Sequence, residues 1–566
     1  SFILNWLFSG CGSPPCPKPA CLDAADSNDD GSINLADPVF LFCFLFGEVT
    51  SLPPPFPVCG SDLTPDGLGC DTTSCEEVIC APCEAPPGPG GECGCTLPPF
   101  VELGPGTVPS FVDQPYASKD VQVADLDNDC DLDMFVPQSR GGQCQPDYLY
   151  MNLGDQFVVN SEAVNDPADD HDGMGNGLCE NDQPVPCMVD FPDSSPSCFF
   201  DTTYASVVVD IGSPGGGPPD GFPDIITVNG SDFMRVLIHS GTNTADAVSF
   251  VDEGGRVILK ETGDGYCPDP NDPTKRIYAS SNVTDALGPL VSTSPKPVFK
   301  TSLDDLDAGD IDLDGDLDII VSNRDDFSSP IVFAPNLLLR NRDGNGNFDM
   351  QLFPVSLESV ETVCHDVVFG DIDNDGDLDL LTVNIGSTLH LFRNRATELR
   401  FPENASLEEL FEDVTFLLGA QTPSFHTHGA MVDLNNDGFL EIHVGGLAGS
   451  NFIYWNDQGV SFTRFPVAFG GYDSAYADLN NDGWKDIVAV DVFSTPPVQI
   501  FISCQEPGGD VTFQEVLGVF PSSGWNFTLG VDVGDLDQDG DVDLVVCQGD
   551  AGTKVPNRIF LNSLIP

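Results

Sequence analysis

The hydrophobic positions of this chain come in short bursts separated by tight clusters of acid. Asp371-Ile-Asp373-Asn-Asp375-Gly376-Asp377-Leu-Asp379 runs directly into Leu380, Leu381, Thr382 and Val383, with acids at positions 1, 3, 5, 7 and 9 and glycine at 6. The order then returns: an acidic turn, and after it a run such as Ile319-Ile-Val, Ile487-Val-Ala-Val or Leu544-Val-Val. Further along come alternating stretches bounded by Asp or Asn: Asp147-Tyr-Leu-Tyr-Met-Asn152, Asn336-Leu-Leu-Leu-Arg-Asn341, Asn451-Phe-Ile-Tyr-Trp-Asn456 and Asn557-Arg-Ile-Phe-Leu-Asn562. Apolar, β-compatible segments on both sides of a tight turn predict a hairpin, and two hairpins in succession predict a four-stranded sheet.

Well-formed copies of the nonapeptide begin at Asp125, Asp310, Asp371, Asp433, Asp478 and Asp535, and a broken one begins at Asp210. Recurrence of this kind marks a repeat architecture. The expected fold is all-β, a seven-bladed β-propeller over residues 100–566, with insertions at 137–204 and 230–303. The chain stops soon after Leu561-Asn562, so the last blade lacks an outer strand of its own. The segment Pro99 to Val112 is expected to close the ring by pairing there; the alternative is an open edge that recruits another chain.

A hard divalent cation takes about six to eight oxygens at about 2.3–2.6 Å, and a short loop supplies them when alternate residues turn inward around a glycine bend. The nonapeptide resembles the calcium loop of an FG-GAP or VCBS repeat, the integrin-α type of propeller blade. That resemblance implies calcium ligands in each loop. The first would use Asp125, Asp127, Asp129, Asp131 and Asp133, with Cys130 in place of the glycine and a Cys130 to Cys144 bond across the hairpin. In the second, Gly212 to Pro219 separates Asp210 from Asp220 and Asp224, which weakens that site. The third loop offers Asp310, Asp312, Asp314, Asp316 and Asp318; the fourth Asp371, Asp373, Asp375, Asp377 and Asp379. The fifth (Asp433, Asn435, Asp437, Phe439, Glu441) and sixth (Asp478, Asn480, Asp482, Trp484, Asp486) keep the oxygens with less charge. The seventh offers Asp535, Asp537, Asp539, Asp541 and Asp543. A backbone carbonyl is expected to coordinate at position 7, which explains Phe439 and Trp484 there.

Near the amino terminus, Asp26, Asn28, Asp30, Ser32, Asn34 and Asp37 fit a twelve-residue EF-hand loop with Gly31 at position 6. Aspartate at position 12 resembles a dockerin, which implies a small α-helical module over residues 1–80, its first half-unit truncated. Residues 81–99 form a Pro/Gly/Cys linker. Ser1 to Phe8 resembles Val39 to Phe46, and both are apolar nearly all round. They are expected to pack on their own module or to dock on a second copy or another extracellular protein. About seven to eight structural calcium ions are implied in all.

Composition narrows the functional classes. Twenty basic against 90 acidic residues give a net charge of −70, a balance that repels nucleic acid and anionic membranes and attracts cations. Twenty cysteines, 11 of them before residue 96, read as disulfides in an oxidising exterior; zinc is the rival reading, on Cys80 and Cys83. No 18-residue apolar span crosses a bilayer, and the chain is expected to be mature, its start following a removed segment. The acidic run Asp169 to Asn176 fits no metal template and reads as a solvated loop. His426 and His428 would share one strand face with His443 a hairpin away, yet packing near the axis is preferred over a catalytic cluster, and no enzyme fingerprint appears. The resulting expectation is a secreted or cell-surface calcium-binding structural or adhesive protein, a filament or matrix subunit without catalysis. The alternatives are a dockerin-type or glycan-binding module and a polysaccharide-active enzyme.

Overall fold

The computed structural model describes residues 97, 100–103, 117–140, 147–154, 157–159, 203–214, 216–229, 234–241, 248, 250–252, 257–258, 267–268, 276–277, 303–324, 335–341, 344–354, 363–447, 451–492, 497–505, 511–521, 525, 527–549 and 556–563. The chain divides into two compact units, Ser1–Glu84 and Ala85–Pro566. The EF-hand-like loop, both amino-terminal apolar stretches and the run Asp169 to Asn176 lie outside the described residues.

Within Ala85–Pro566 the apolar runs become strands, and antiparallel four-stranded units recur along the chain, the fourth and fifth joined into one eight-stranded sheet by pairing of Ile385 with Phe425 and Ser387 with Ser424. The first sheet unit comprises Gln122–Ala124, Asp133–Val136, Tyr148–Asn152 and Phe157–Val159. The second comprises Thr203–Val209, Asp224–Asn229, Met234–His239 and Phe250–Asp252. Leu303–Gly309, Asp318–Asn323, Leu337–Asn341 and Phe348–Leu352 make the third. The fourth is Val363–Gly370, Asp379–Ser387, His390–Asn394 and Phe411–Asp413. The fifth is Ser424–Val432, Glu441–Gly446, Phe452–Asn456 and Phe462–Pro466. Asp473–Ala477, Asp486–Val490, Val498–Gln505 and Val511–Val516 form the sixth. In every unit the acidic turn joins the first strand to the second.

The seventh sheet unit takes Thr528–Gly534, Asp543–Gln548 and Arg558–Leu561 from the end of the chain, and its fourth strand, Val101–Glu102, from near the beginning. Val101 pairs with Leu561 and Glu102 with Phe560, so part of the segment expected to cover this edge does so. Arg558 fixes the register: its Nε and Nη2 lie 2.7 and 2.6 Å from the Glu102 carboxylate, and its guanidinium stacks 4.1 Å from the Trp525 ring. The stretches read as insertions begin with outer strands of the first and second units. Beyond those, Val257–Ile258 runs parallel to Phe348–Leu352 and extends the third sheet outward. Helix is nearly absent among the described residues, a single turn at Leu407–Leu410 being the α-helical part, and no helix is long and apolar enough to cross a membrane.

The core lies between units rather than within them. Phe135, Leu149, Ile225 and Leu237 pack the first against the second, and Val228, Ile238, Leu303 and Leu339 the second against the third. Equivalent clusters occupy each later joint. The last of them, with Met134 and Tyr150 against Val545 and Ile559, joins the seventh unit back to the first. A sheet with both faces buried explains why Leu337–Asn341 has no exposed face despite its alternating pattern. The first strands succeed one another around an axis in the same cyclic order, a propeller-like fold.

Candidate metal centre

Each acidic turn is built on one hydrogen-bond frame. The position-1 carboxylate accepts the N–H groups of positions 5 and 6: Asp371 takes Asp375 at 3.2 Å and Gly376 at 3.0 Å, and Asp535 takes Asp539 and Gly540 at 3.1 and 3.0 Å. The position-5 carboxylate accepts the N–H of position 7, as Asp375 does from Asp377 and Asp482 from Trp484. The position-9 carboxylate is fully buried and joins turn to sheet. Asp379 accepts the position-2 N–H of Ile372 at 2.9 Å, and that of Asn394, at the end of the third strand, at 2.7 Å.

The broken second loop keeps this frame. Asp210 accepts N–H groups from Asp220 and Gly221 across the Gly/Pro insertion, and Asp224 accepts from Ile211 and His239. It lacks a position-3 carboxylate.

Position 3 tests whether a cation fits. Carboxylate oxygens of Asp125, Asp127 and Asp133 converge to within 4.8 Å of one another, as do those of Asp310, Asp312 and Asp314, of Asp371, Asp373 and Asp379, and of Asp535, Asp537 and Asp539. In three of these groups the position-3 Oδ1, on Asp127, Asp312 and Asp373, is buried without a hydrogen-bond partner. Asp312 gives its other oxygen to Arg340, and Asp373 gives its own to Arg393 Nε at 2.8 Å, leaving one oxygen of each for the cage. An orphaned buried carboxylate oxygen is costly unless a cation completes it. Burial, then the neighbouring Asp129 and Asp125 charges, push Asp127 up to about 6. Burial raises Asp133, Asp318, Asp379 and Asp486 to about 8, and Asp224, Glu441 and Asp543 to about 7. The donor set, all hard oxygen, suits calcium or magnesium rather than a soft metal.

Position 7 is different. Asp377, fully buried, gives Oδ2 to the N–H and hydroxyl of Thr397 as acceptor and leaves Oδ1 without a partner, while Asp131 accepts from Gln538. In the fifth and sixth loops Asn435 and Asn480 donate to Asp437 and Asp482, so these loops are partly satisfied from within.

Position 4, which the acid spacing hides, carries a clasp. Asn128, Asn374, Asn436 and Gln538 all adopt positive φ, between 53° and 60°, a region that asparagine tolerates. Their amides reach the position-6 carbonyl of the next loop: Asn128 to Gly221, Asn374 to Gly438 and Asn436 to Gly483 at 2.8 Å, and Gln538 to Cys130 at 3.1 Å. A second clasp runs back. Asn152, Asn394, Asn456 and Asn562, at the ends of third strands, donate to the position-2 carbonyls of Leu536, Ile311, Ile372 and Leu479 in the preceding loop at 2.7–2.9 Å. The recurring Asn at strand ends was the visible signal; its partner is some 83 or more residues away.

One cysteine reading needs correction. Cys130 is a thiol, not a disulfide to Cys144; it sits exposed at the apex of its loop with φ 78°. Cys364 and Cys547 are buried thiols on sheets of the fourth and seventh units, whereas Cys504 is disulfide-bonded. Of the three histidines, His426 stands apart, while His428 and His443 both meet the Tyr476 hydroxyl, at 3.4 and 2.6 Å. A β-bulge between His426 and His428 turns them to different neighbours, His426 to Phe452 and His428 to Tyr476. His443 Nδ1 meets the Tyr476 hydroxyl at 2.6 Å, and burial, then His428, push its pKa down to about 3.

A second polar cluster, which no local pattern announces, gathers near the starts of the first strands. Asp304, fully buried, meets Lys119 Nζ at 2.6 Å, His365 Nε2 at 3.1 Å and Arg324 Nη1 at 3.2 Å. Lys119 lies 4.5 Å from the Tyr204 ring centre, and Tyr472 lies 3.4 Å from His365. Five sheet units contribute to this group. Deeper along the same strands, buried carboxylates bridge neighbours: Asp120 accepts Ser206 N–H, Asp366 accepts Gly429, Asp473 accepts Val531 and Asp532 accepts Val123, at 2.7–3.0 Å.

A model of the FG-GAP-like repeat matches residues 310–382, 433–489 and 478–546. The chain carries FG-GAP-like repeats. Each matched segment runs from one acidic loop into the next, and the two irregular loops at Asp125 and Asp210 fall outside. No curated protein matches the chain. Among solved structures, it is similar to BBS1N in a crystal structure with ARL6DN soaked with lead, at 9% identity and TM-score 0.41, covering 83% of this chain and 98% of that one. It is also similar to an Agrocybe aegerita lectin solved for its recognition of non-reducing terminal N-acetylglucosamine, at 20% identity and TM-score 0.37, covering 79% and 94%.

Proposed function

We propose that this chain is a secreted, calcium-loaded, seven-bladed propeller whose metal ions are structural, and that it acts in adhesion or assembly at the cell exterior. One observation carries the reading: buried position-3 oxygens of Asp127, Asp312 and Asp373 stand unpartnered inside cages of converging carboxylates. Positions 1, 3, 5 and 9 would hold the ion, with the position-7 carbonyl as a further ligand. Calcium there would cancel repulsion between acids and fix each hairpin turn, coupling binding to folding. The cyclic order of the joints supports seven blades, and a net charge of −70 supports an environment rich in divalent cations. Assembly would run through the dockerin-like module, by Ser1 to Phe8 and Val39 to Phe46, on a second copy or another extracellular protein. Calcium titration by calorimetry, with thermal unfolding before and after chelation, tests the metal reading; unchanged stability and no heat of binding would sink it. Particles imaged with and without calcium test assembly, and uniform single discs in both would count against it.

A second reading, a glycan-binding module, rests on the Lys119, Arg324, Tyr204 and Tyr472 group, where two cations lie beside tyrosine faces. A glycan array on the intact protein and on Lys119→Ala separates the two.

A further inference from the structure

We propose that metal occupancy of one acidic loop is communicated to the next through the position-4 amide, so that ions load cooperatively along runs of loops joined by this bond rather than independently. The inference rests on the calcium reading above. The amide sits between the third and fifth positions of its own loop, and its acceptor is the carbonyl of the peptide joining the sixth and seventh positions of the following one. At the joint between the fifth and sixth loops, Asn436 holds φ at 54° and donates to Gly483 O at 2.8 Å. The N–H of that same peptide, on Trp484, is held by Asp482 Oδ1 at 2.9 Å, and Gly483 N–H by Asp478 Oδ2 at 2.6 Å, so the peptide is gripped by the neighbouring loop on one side and by two ligands of its own loop on the other. Whatever orders Asn436 in the fifth loop orders this peptide in the sixth, and the reverse follows by reciprocity of linkage.

The same bond recurs from Asn128, Asn374 and Gln538, and the last runs from the seventh loop into the first. Leu313 occupies this position in the third loop, at φ 58°, and has no amide to offer its neighbour. The bonds therefore join the seventh, first and second loops in one run and the fourth, fifth and sixth in another. A return clasp adds to them at the joints between the fourth and fifth and between the seventh and first loops, but at the joint between the fifth and sixth loops the strand-end residue is Ser503 in place of Asn, so the Asn436 bond acts without that second amide.

That joint permits a clean test. Trp484 stands at position 7 of the sixth loop, next to Gly483, and terbium emission lost on Trp484→Phe reports that loop. In the full-length protein, Asp433→Ala removes the first ligand of the fifth loop, and Asn436→Gly removes the amide while tolerating positive φ. Asp433→Ala is expected to weaken terbium binding at Trp484 by about two- to ten-fold, the worth of one hydrogen bond, and to have no further effect in the Asn436→Gly background. No shift, or the same shift in both backgrounds, overturns the coupling while leaving calcium binding intact. No terbium or calcium uptake by the unaltered protein overturns both. Should Asp433→Ala fail to fold, hydrogen exchange of residues 478–486 at half-saturating calcium decides: protection lower in Asn436→Gly supports the coupling, and equal protection overturns it.

Discussion

At the scale of single residues, the loops separate what a side chain contributes from what its backbone permits. Position 6 lies at φ between 87° and 94° in Gly221, Gly315, Gly376, Gly438, Gly483 and Gly540, and Cys130 is held at 78° in the same place. A residue with a Cβ in that region is strained by about 1–2 kcal/mol. Cys130→Gly is therefore expected to stabilise the protein by about 0.5–1 kcal/mol, read as a higher denaturant midpoint, with terbium uptake at the first loop no weaker. Gly370 shows the opposite constraint. A Cβ there would lie 2.7 Å from Met431 Sδ and 3.0 Å from Leu440 Cδ1, both in the fifth unit. Gly370→Ala is expected to cost about 1–3 kcal/mol by overpacking that joint, and an unchanged unfolding midpoint would refute the packing argument.

At the scale of the element, the unit is a turn whose ninth residue fastens it to the third strand, and this sets how stability depends on pH. Burial raises Asp133, Asp318, Asp379 and Asp486 to about 8, from an ordinary aspartate value of about 3.9. A carboxyl raised in the fold contributes stability that is complete below its unfolded value and is lost as pH climbs through its folded value. Without divalent ions, the melting temperature is therefore expected to fall between pH 5 and about 8.5, and calcium is expected to flatten the curve. Calcium uptake near pH 6.5 is expected to release protons, visible as a heat of binding that varies with the ionisation enthalpy of the buffer; buffer-independent heat would refute the assignment. Much of this element was legible beforehand, because a period of two among acids beside an apolar run states turn and strand together. Position 2 of the loops, Leu126, Ile311, Ile372 and their counterparts, and the amides at position 4 were not. Their partners lie in the next unit, and no local pattern records a contact made 64 or 93 residues away.

At the scale of the whole molecule, the joint between the seventh and first units differs from the others in joining the two ends of the chain. It is clasped twice, by Asn152 to Leu536 O and by Gln538 to Cys130 O, and it holds an apolar cluster of its own. The closing strand itself is slight. It offers two paired residues, Val101 is 55% exposed, and register depends on the Glu102 carboxylate against Arg558. Arg558 is buried between that carboxylate and the Trp525 and Phe560 rings, so its truncation removes an ion pair and a stacking surface together. Arg558→Ala should release Val101–Glu102 and expose the edge of Arg558–Leu561, an unpaired row of backbone donors and acceptors. Hydrogen exchange is expected to quicken in residues 558–561 while Asp379–Ser387, between two strands of its own unit, keeps its protection. Light scattering after chromatography should show dimers or larger species that grow with concentration, as a freed edge pairs with another copy. Were both regions to lose protection together, the joints would be one cooperative lock and the seam no weaker than the rest.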